Sequence, residues 1–254
     1  MIPITNKSFV CFGEVLFDIF PSLIKIGGAP LNVAVRLAAL GNYSSVISRI
    51  GSDKLGKEIV NYLKINNVNA SCLQIDEELK TGQVLVNLDE KGSATYTINY
   101  PSAWDKIEVT HENEQLVSSS DAIVFGSLIC RDERSQHTLL QLLQLARFRV
   151  FDVNLRQPFY EIKILNKLMQ IADFIKFNYA NYTYSSYDKS ITTTKIENGS
   201  LINVKKIKSN RDGKSYDLYL KTYKDPKFTN TQETVIGLIC GKTYSQFDKI
   251  NNEV

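Results

Sequence analysis

Histidine is nearly absent from this 254-residue chain: there are two, His111 and His137, both in polar surroundings. That supply argues against a histidine-based metal centre and against a Ser-His-Asp triad. Cysteine is sparse and unclustered. Cys11, Cys72, Cys130 and Cys240 lie far apart with no C-x-x-C pair, and three of them sit in apolar runs. They read as reduced core thiols of a cytosolic protein. No apolar run reaches membrane-spanning length, and the N-terminus has no basic stretch followed by an apolar segment. The expectation is a soluble, cytoplasmic protein with no membrane partner. Charge of one sign is also scarce, with a formal net charge of +3. That excess is too small to indicate a nucleic-acid partner. Much of it lies late, at Lys205, Lys206, Lys208 and Arg211, as a solvated surface would place it. With 43% hydrophobic residues, one domain with a sizeable core is the natural prior.

What the chain does have is the run Ile26-Gly27-Gly28-Ala29-Pro30-Leu31-Asn32. Two adjacent glycines let backbone approach a ligand with no Cβ in the way. The apolar-periodic stretch Leu31 to Leu40, stopped by Gly41, predicts a helix. Its N-terminus would offer N–H groups to hydroxyls or an anion. Asn32 adds an amide that both donates and accepts, and Asp18 upstream accepts only. Together they suit a polyhydroxylated ligand. A glycine-rich turn capping an ordinary helix is the plainer alternative.

Strands and helices alternate along the sequence. Strands are predicted at Ser8–Phe12, Ser45–Ile50, Asp121–Gly126, Phe148–Val153 and Phe174–Phe177. Helices are predicted at Lys54–Asn66, Ser135–Ala146 and Tyr160–Ile171. Such alternation implies an α/β, doubly wound, three-layer architecture around a parallel sheet. Ligands bind such sheets beyond the carboxyl ends of the strands. Thr81–Asp89 and Ser93–Tyr100 break the pattern as a predicted two-stranded ribbon, with Val84, Val86 and Leu88 on one covered face. Asp152-Val153-Asn154-Leu155-Arg156 closes a predicted strand. In extended geometry its three polar side chains share a face, and Arg156 could grip phosphate bidentately. An Asp152–Arg156 ion pair at the strand edge is the alternative.

Several segments, read in order, resemble the ribokinase-like (PfkB-type) carbohydrate kinases over roughly residues 9–178. They are Phe9 to Asp18, Gly27 to Ala34, and Arg49-Ile50-Gly51-Ser52-Asp53-Lys54-Leu55-Gly56. The Gly-Gly-Ala-Pro-Leu-Asn form and Tyr100-Pro101-Ser102-Ala103-Trp104-Asp105 look most like the fructokinase branch. The resemblance implies a ribokinase-like fold with a small β lid formed by about residues 14–26 and 81–104. It implies a sugar site at Asp18, Gly27, Gly28, Asn32, Tyr96 and Ser127, with Tyr96, Tyr100 and Trp104 as candidates to stack on the sugar or simply to pack. It places Asn154 and Arg156 at the transferring phosphate and Asn178 at the nucleotide. ATP and magnesium are the implied cofactors. A sugar and a nucleotide are the implied small-molecule partners, with a homodimer through the lid.

The resemblance then stops. The family's N-x-x-E motif reads Asn178-Tyr179-Ala180-Asn181 here, so one carboxylate is replaced by an amide that suits magnesium less well. No D-T-x-G-A-G-D segment, which in the family carries the catalytic base and anion hole, occurs anywhere in the chain. The nearest run, Thr234 to Gly241, has no aspartate, and Asp225 and Asp248 lack glycine-rich neighbours. No catalytic base and no metal ligand can be assigned. Residues 179–254 are rich in Tyr, Asn, Thr, Lys and Ser, and offer only one unit, a hairpin within Val204–Leu220 across Asn210-Arg211-Asp212-Gly213. They read as a separate, truncated or divergent tail, whether from a shifted frame, a recombined coding sequence or native divergence. Two functions stay open: an ATP-dependent kinase acting on a sugar hydroxyl, fructose first, or a sugar-binding pseudokinase or frameshifted remnant.

Overall fold

In the computed structural model the described residues are 6–88, 94–177, 205–208, 215–218 and 236–239. In chain order the elements are β1 (Ser8–Phe12), β2 (Leu16–Ile19), β3 (Ile24–Gly27), α1 (Ala29–Ala39), β4 (Tyr43–Gly51), α2 (Lys54–Ile65) and β5 (Asn69–Asp76). Then come β6 (Gly82–Leu88), β7 (Ala94–Ile98), α3 (His111–Ser119), β8 (Ala122–Gly126), α4 (Glu133–Leu145), β9 (Arg149–Asp152), α5 (Ile162–Ile171) and β10 (Phe174–Phe177). Three short strands follow: β11 (Lys205–Lys208), β12 (Ser215–Leu218) and β13 (Ile236–Ile239). The chain forms two compact units, Met1–Arg149 and Val150–Val254.

The first unit is built on parallel strands in the order β8-β1-β4-β5. Val10, Cys11, Phe12, Val46, Ile47, Ile123 and Phe125 fill this sheet with buried apolar side chains, as strands covered on both faces require. The order runs outward from β1 to β5, then returns to place β8 on the other side of β1. Strand order therefore reverses at β1 and β8, and ligands of open α/β sheets bind beyond the carboxyl ends at such a point. Those ends are Phe12-Gly13-Glu14 and Gly126-Ser127.

A second, four-stranded sheet, order β3-β2-β6-β7, rises from the end of β1. It is the predicted β lid, and β6 and β7 pair antiparallel as the period-two pattern required. Leu16, Val84 and Val86 are buried together, with Phe20 and Ile98 packed against them. Strands β2 and β3 fall in the segment of about residues 14–26 expected to join the lid, whereas edge strand β5 has no counterpart among the predicted elements. Helix α3 is likewise unpredicted, although Thr110 caps it by accepting the Asn113 N–H at 3.2 Å.

The Gly51–Gly56 motif ties the lid to the parallel sheet. Asp53 caps α2 by accepting the Gly56 N–H at 2.8 Å. It also accepts the Thr81 N–H at 2.9 Å and the Thr81 hydroxyl at 2.8 Å, at the start of β6. Partial burial pushes the Asp53 carboxyl up, but these hydrogen bonds outweigh it and hold the group below its ordinary value of 3.8. A lowered folded pKa means the stabilisation is complete above 3.8 and is lost as pH falls through the lower folded value. Asp53→Ala is expected to cost about 2 kcal/mol at neutral pH, a cap plus a hydrogen bond. Asp53→Asn should unfold with a shallower acid dependence below 3.8 than the wild-type chain, measured by circular dichroism. Equal acid dependence would contradict this role.

The second unit contains a β-α-β arrangement. β9 and β10 are parallel, with Lys176 opposite Asp152, and α5 between them buries Leu165, Leu168 and Met169. β13, within the Thr234–Gly241 run, pairs antiparallel with β10, so the residues after 178 hold a strand besides the one unit expected there. The two strands of the expected hairpin are present as antiparallel β11 and β12, and its turn at residues 210–213 lies outside the described residues.

Candidate functional site

At the carboxyl end of β1 the chain turns into the lid and returns to start α1. Gly28 is the helix N-cap, with φ 113°, a conformation that favours glycine. A Cβ there would lie 2.4 Å from the Glu14 carbonyl oxygen. A Cβ on Gly27 would lie 2.5 Å from Asp18 Oδ2. The glycine pair therefore exists to let the Asp18 carboxylate and the Glu14 backbone press against the start of α1. Asn32 stands exposed in the first turn of the same helix.

The helix terminus is less open than the sequence suggests. The Ala29 N–H is taken by Glu14 Oε1 at 3.3 Å, and Pro30 has no N–H to give. Glu14 is buried, 2% exposed, and its importance was not signalled by any local pattern. Two carboxylates at a helix N-terminus sit where the helix dipole favours negative charge.

Strand register adds the lid. Asp18 lies opposite Val84, Val84 shares its face with Val86, and Val86 lies opposite Tyr96. Asp18 and Tyr96 therefore stand on one face of the lid sheet. Tyr96 is 61% exposed. Ser127, just beyond the end of β8, is 2% exposed, and its hydroxyl has no hydrogen-bond partner among the described residues. A buried hydroxyl without a partner is costly unless something supplies one.

Two of the aromatic candidates are engaged elsewhere. Trp104 is fully buried, and the Arg131 guanidinium lies 3.9 Å from its ring centre. It is a packing residue and does not stack on a sugar. The Tyr100 hydroxyl donates to Asp132 at 3.0 Å.

The D-x-N-x-R segment departs from its expected geometry. β9 ends at Asp152, and Asn154 has φ 29°, so extended alternation stops there. The side chains of Asp152, Asn154 and Arg156 therefore do not share a strand face. Asp152 pairs with Lys176 at 2.8 Å, in place of the alternative Asp152–Arg156 pair. Arg156 is exposed, with Nη1 donating to the Leu155 carbonyl at 3.0 Å. Asn178 lies outside the described residues.

Among the described residues no group of three or more His, Cys, Asp or Glu could hold a metal ion. The acidic side chain at the end of β9 is already engaged by Lys176, so it offers magnesium no uncommitted carboxylate. Cys11, Cys72 and Cys130 are free thiols. Burial pushes Cys11 up and Cys130 to about 12, so neither is a nucleophile at neutral pH. No helix among the described residues is long and apolar enough to cross a membrane.

Comparison with known proteins finds fructokinases among the similar sequences and structures. Fructokinase-2 of Zea mays is 28% identical over 193 residues, covering 67% of this chain and 58% of that protein. The fructokinase of Vibrio alginolyticus is 28% identical over 180 residues, 65% of this chain and 58% of that protein. The crystal structure of fructokinase with bound ATP from Xylella fastidiosa superimposes with a TM-score of 0.67 at 25% identity, covering 72% of this chain and 61% of that one. The chain spans from 50% to 62% of the length of three further curated relatives it matches. The parallel sheet with its β lid is the ribokinase-like α/β fold. The pfkB family carbohydrate kinase profile matches residues 23–182, and the chain belongs to that family.

Proposed function

We propose that this chain binds a ketohexose of the fructose class, the sugar acceptor of an ATP-dependent kinase lineage, and that as written it no longer transfers phosphate efficiently. The observation that carries the sugar reading is the seating of Asp18 against Gly27, beside the α1 N-cap and at the point where strand order reverses. Asp18 would accept hydroxyl protons, Asn32 and Ser127 would complete the polar set, and Tyr96 would cover an apolar sugar face. In the family's arrangement ATP would meet Asn154, Arg156 and Asn178. The missing D-T-x-G-A-G-D segment removes the group that would accept the hydroxyl proton. A cytoplasmic location fits the free thiols. A thermal-shift panel of fructose, glucose and ribose tests the sugar class. Fructose should stabilise the chain most, and equal or absent shifts for all three would contradict the assignment.

A homodimer through the lid belongs to the same proposal. Ile24, Ile19, Leu85 and Thr97 lie opposite one another across the four lid strands, on the face away from Asp18. Ile24 and Leu85 are 59% and 41% exposed. An exposed apolar row on a sheet is a surface that a second copy could cover. Light scattering should report a dimer for the wild-type chain and a monomer for Ile24→Asp/Leu85→Lys. A wild-type monomer at micromolar concentration would contradict the proposal.

A further inference from the structure

The lid is fastened at the root of its exit strand by a buried ionic bridge. Arg131 Nε donates to Asp105 Oδ1 at 2.7 Å, and Arg131 Nη2 donates to Asp105 Oδ2 at 2.8 Å. The two side chains are 1% and 0% exposed. The same Nη2 donates to the carbonyl of Asn99 at 2.7 Å, one residue beyond β7. The guanidinium lies over the Trp104 ring. The indole edge in turn reaches the lid's other strand, since a Cβ on Gly82 would sit 2.4 Å from Trp104 Nε1. Asp105 is held from its far side by the Ser102 N–H at 2.8 Å.

Arg131 comes from a particular place. It ends the short turn Leu128–Arg131, which begins at Ser127 and follows β8 directly. Ser127 is on the parallel-sheet side of the sugar site, whereas Tyr96 is on the lid side, in the strand that ends next to Asn99. One side chain therefore spans from the Ser127 turn to both roots of the lid hairpin, directly at Asn99 and through Trp104 at Gly82.

We propose that Arg131 is a positioning residue for sugar binding, setting the spacing between the lid face that carries Asp18 and Tyr96 and the turn that carries Ser127. This rests on the sugar reading above. A forked guanidinium on a carboxylate is a stiff connection, because two parallel hydrogen bonds fix its plane. Burial makes the connection obligatory, since removing one partner leaves a charge without compensation. A lysine keeps the charge and loses the fork, the carbonyl bond and most of the stacking on the ring.

Trp104 is the only tryptophan in the chain, so its emission reports this bridge alone. The experiment titrates fructose into the wild-type chain, Arg131→Lys and Val117→Ala, reading calorimetric heat and Trp104 fluorescence together. Val117 is a core residue of α3 away from the bridge, and its replacement supplies a destabilised control. The wild-type chain should bind fructose with a change in Trp104 emission. Arg131→Lys should bind about tenfold more weakly or worse and lose most of the emission change. Val117→Ala should keep the wild-type dissociation constant despite a lower melting temperature, which separates positioning from general stability. Binding by Arg131→Lys within about twofold of wild type would overturn the inference while leaving the sugar reading intact. If Arg131→Lys does not fold, the wild-type titration decides: calorimetric binding with flat Trp104 emission overturns the inference. No binding by the wild-type chain overturns the sugar reading and this inference with it.

Discussion

Asp18→Ala is expected to abolish the stabilisation of this chain by fructose. At roughly one hundred times its dissociation constant, a ligand that binds only the folded state stabilises it by about 2.7 kcal/mol. For a chain of this size that raises the melting temperature by about 5–10 °C. Asp18 sits where its carboxylate is pressed against Gly27, the residue before the α1 N-cap, so it is in place before a sugar arrives. Hydrogen bonds to a charged group are worth about 1.5–3 kcal/mol each, so losing two of them weakens binding by two orders of magnitude or more. The shift in Asp18→Ala at the same fructose concentration should then fall below about 1 °C. The unliganded melting temperature should change little, because Asp18 is only half-buried. A fructose shift that survives the substitution would remove Asp18 from the site.

The second large effect concerns turnover. Phosphoryl transfer needs a group to take the hydroxyl proton, donors for the moving phosphate and charge neutralisation between them. Arg156 is exposed and able to serve the phosphate, and Asn154 stands two residues before it. Neither can accept the proton. A missing general base costs about 10²–10⁴-fold, and a missing anion hole about 10²–10³-fold. Kinases of this kind turn over at about 1–100 per second. A coupled assay with fructose, ATP and magnesium should therefore report a rate at least about ten-thousandfold below that range. Turnover near one per second would show that residues 179–254 rebuild a base which their sequence does not announce.

Legibility followed the range of the forces involved. Strands β1 and β10 match the sequence expectation residue for residue, because each is a short apolar run between breakers. The lid hairpin was equally plain, since Val84, Val86 and Leu88 recur at period two between turn residues, and Val84 and Val86 face a local cluster. Edge strand β5 was hidden because only Cys72 and Asp76 along it are buried, which leaves no alternation to read. Helix α3 was hidden by its His-Glu-Asn-Glu-Gln start, which has no apolar stripe. The glycine pair pointed to a close approach and to Asp18 beside it, and the antiparallel pairing of β2 and β3 is what brings the two together. Asn154 misled the strand reading by adopting a left-handed backbone after Asp152. The pairing of Arg131 with Asp105 and of Asp152 with Lys176 depends on folded-state proximity, which sequence spacing does not encode.

Sugar binding without efficient phosphate transfer is tested in both halves by one calorimetric experiment. Fructose is injected into the 254-residue chain in the presence of ATP and magnesium, and the heat is followed through saturation and for an hour beyond. A saturable one-to-one binding isotherm followed by a flat baseline is expected. No binding heat would contradict the sugar site, and a sustained reaction heat proportional to protein concentration would contradict the loss of transfer.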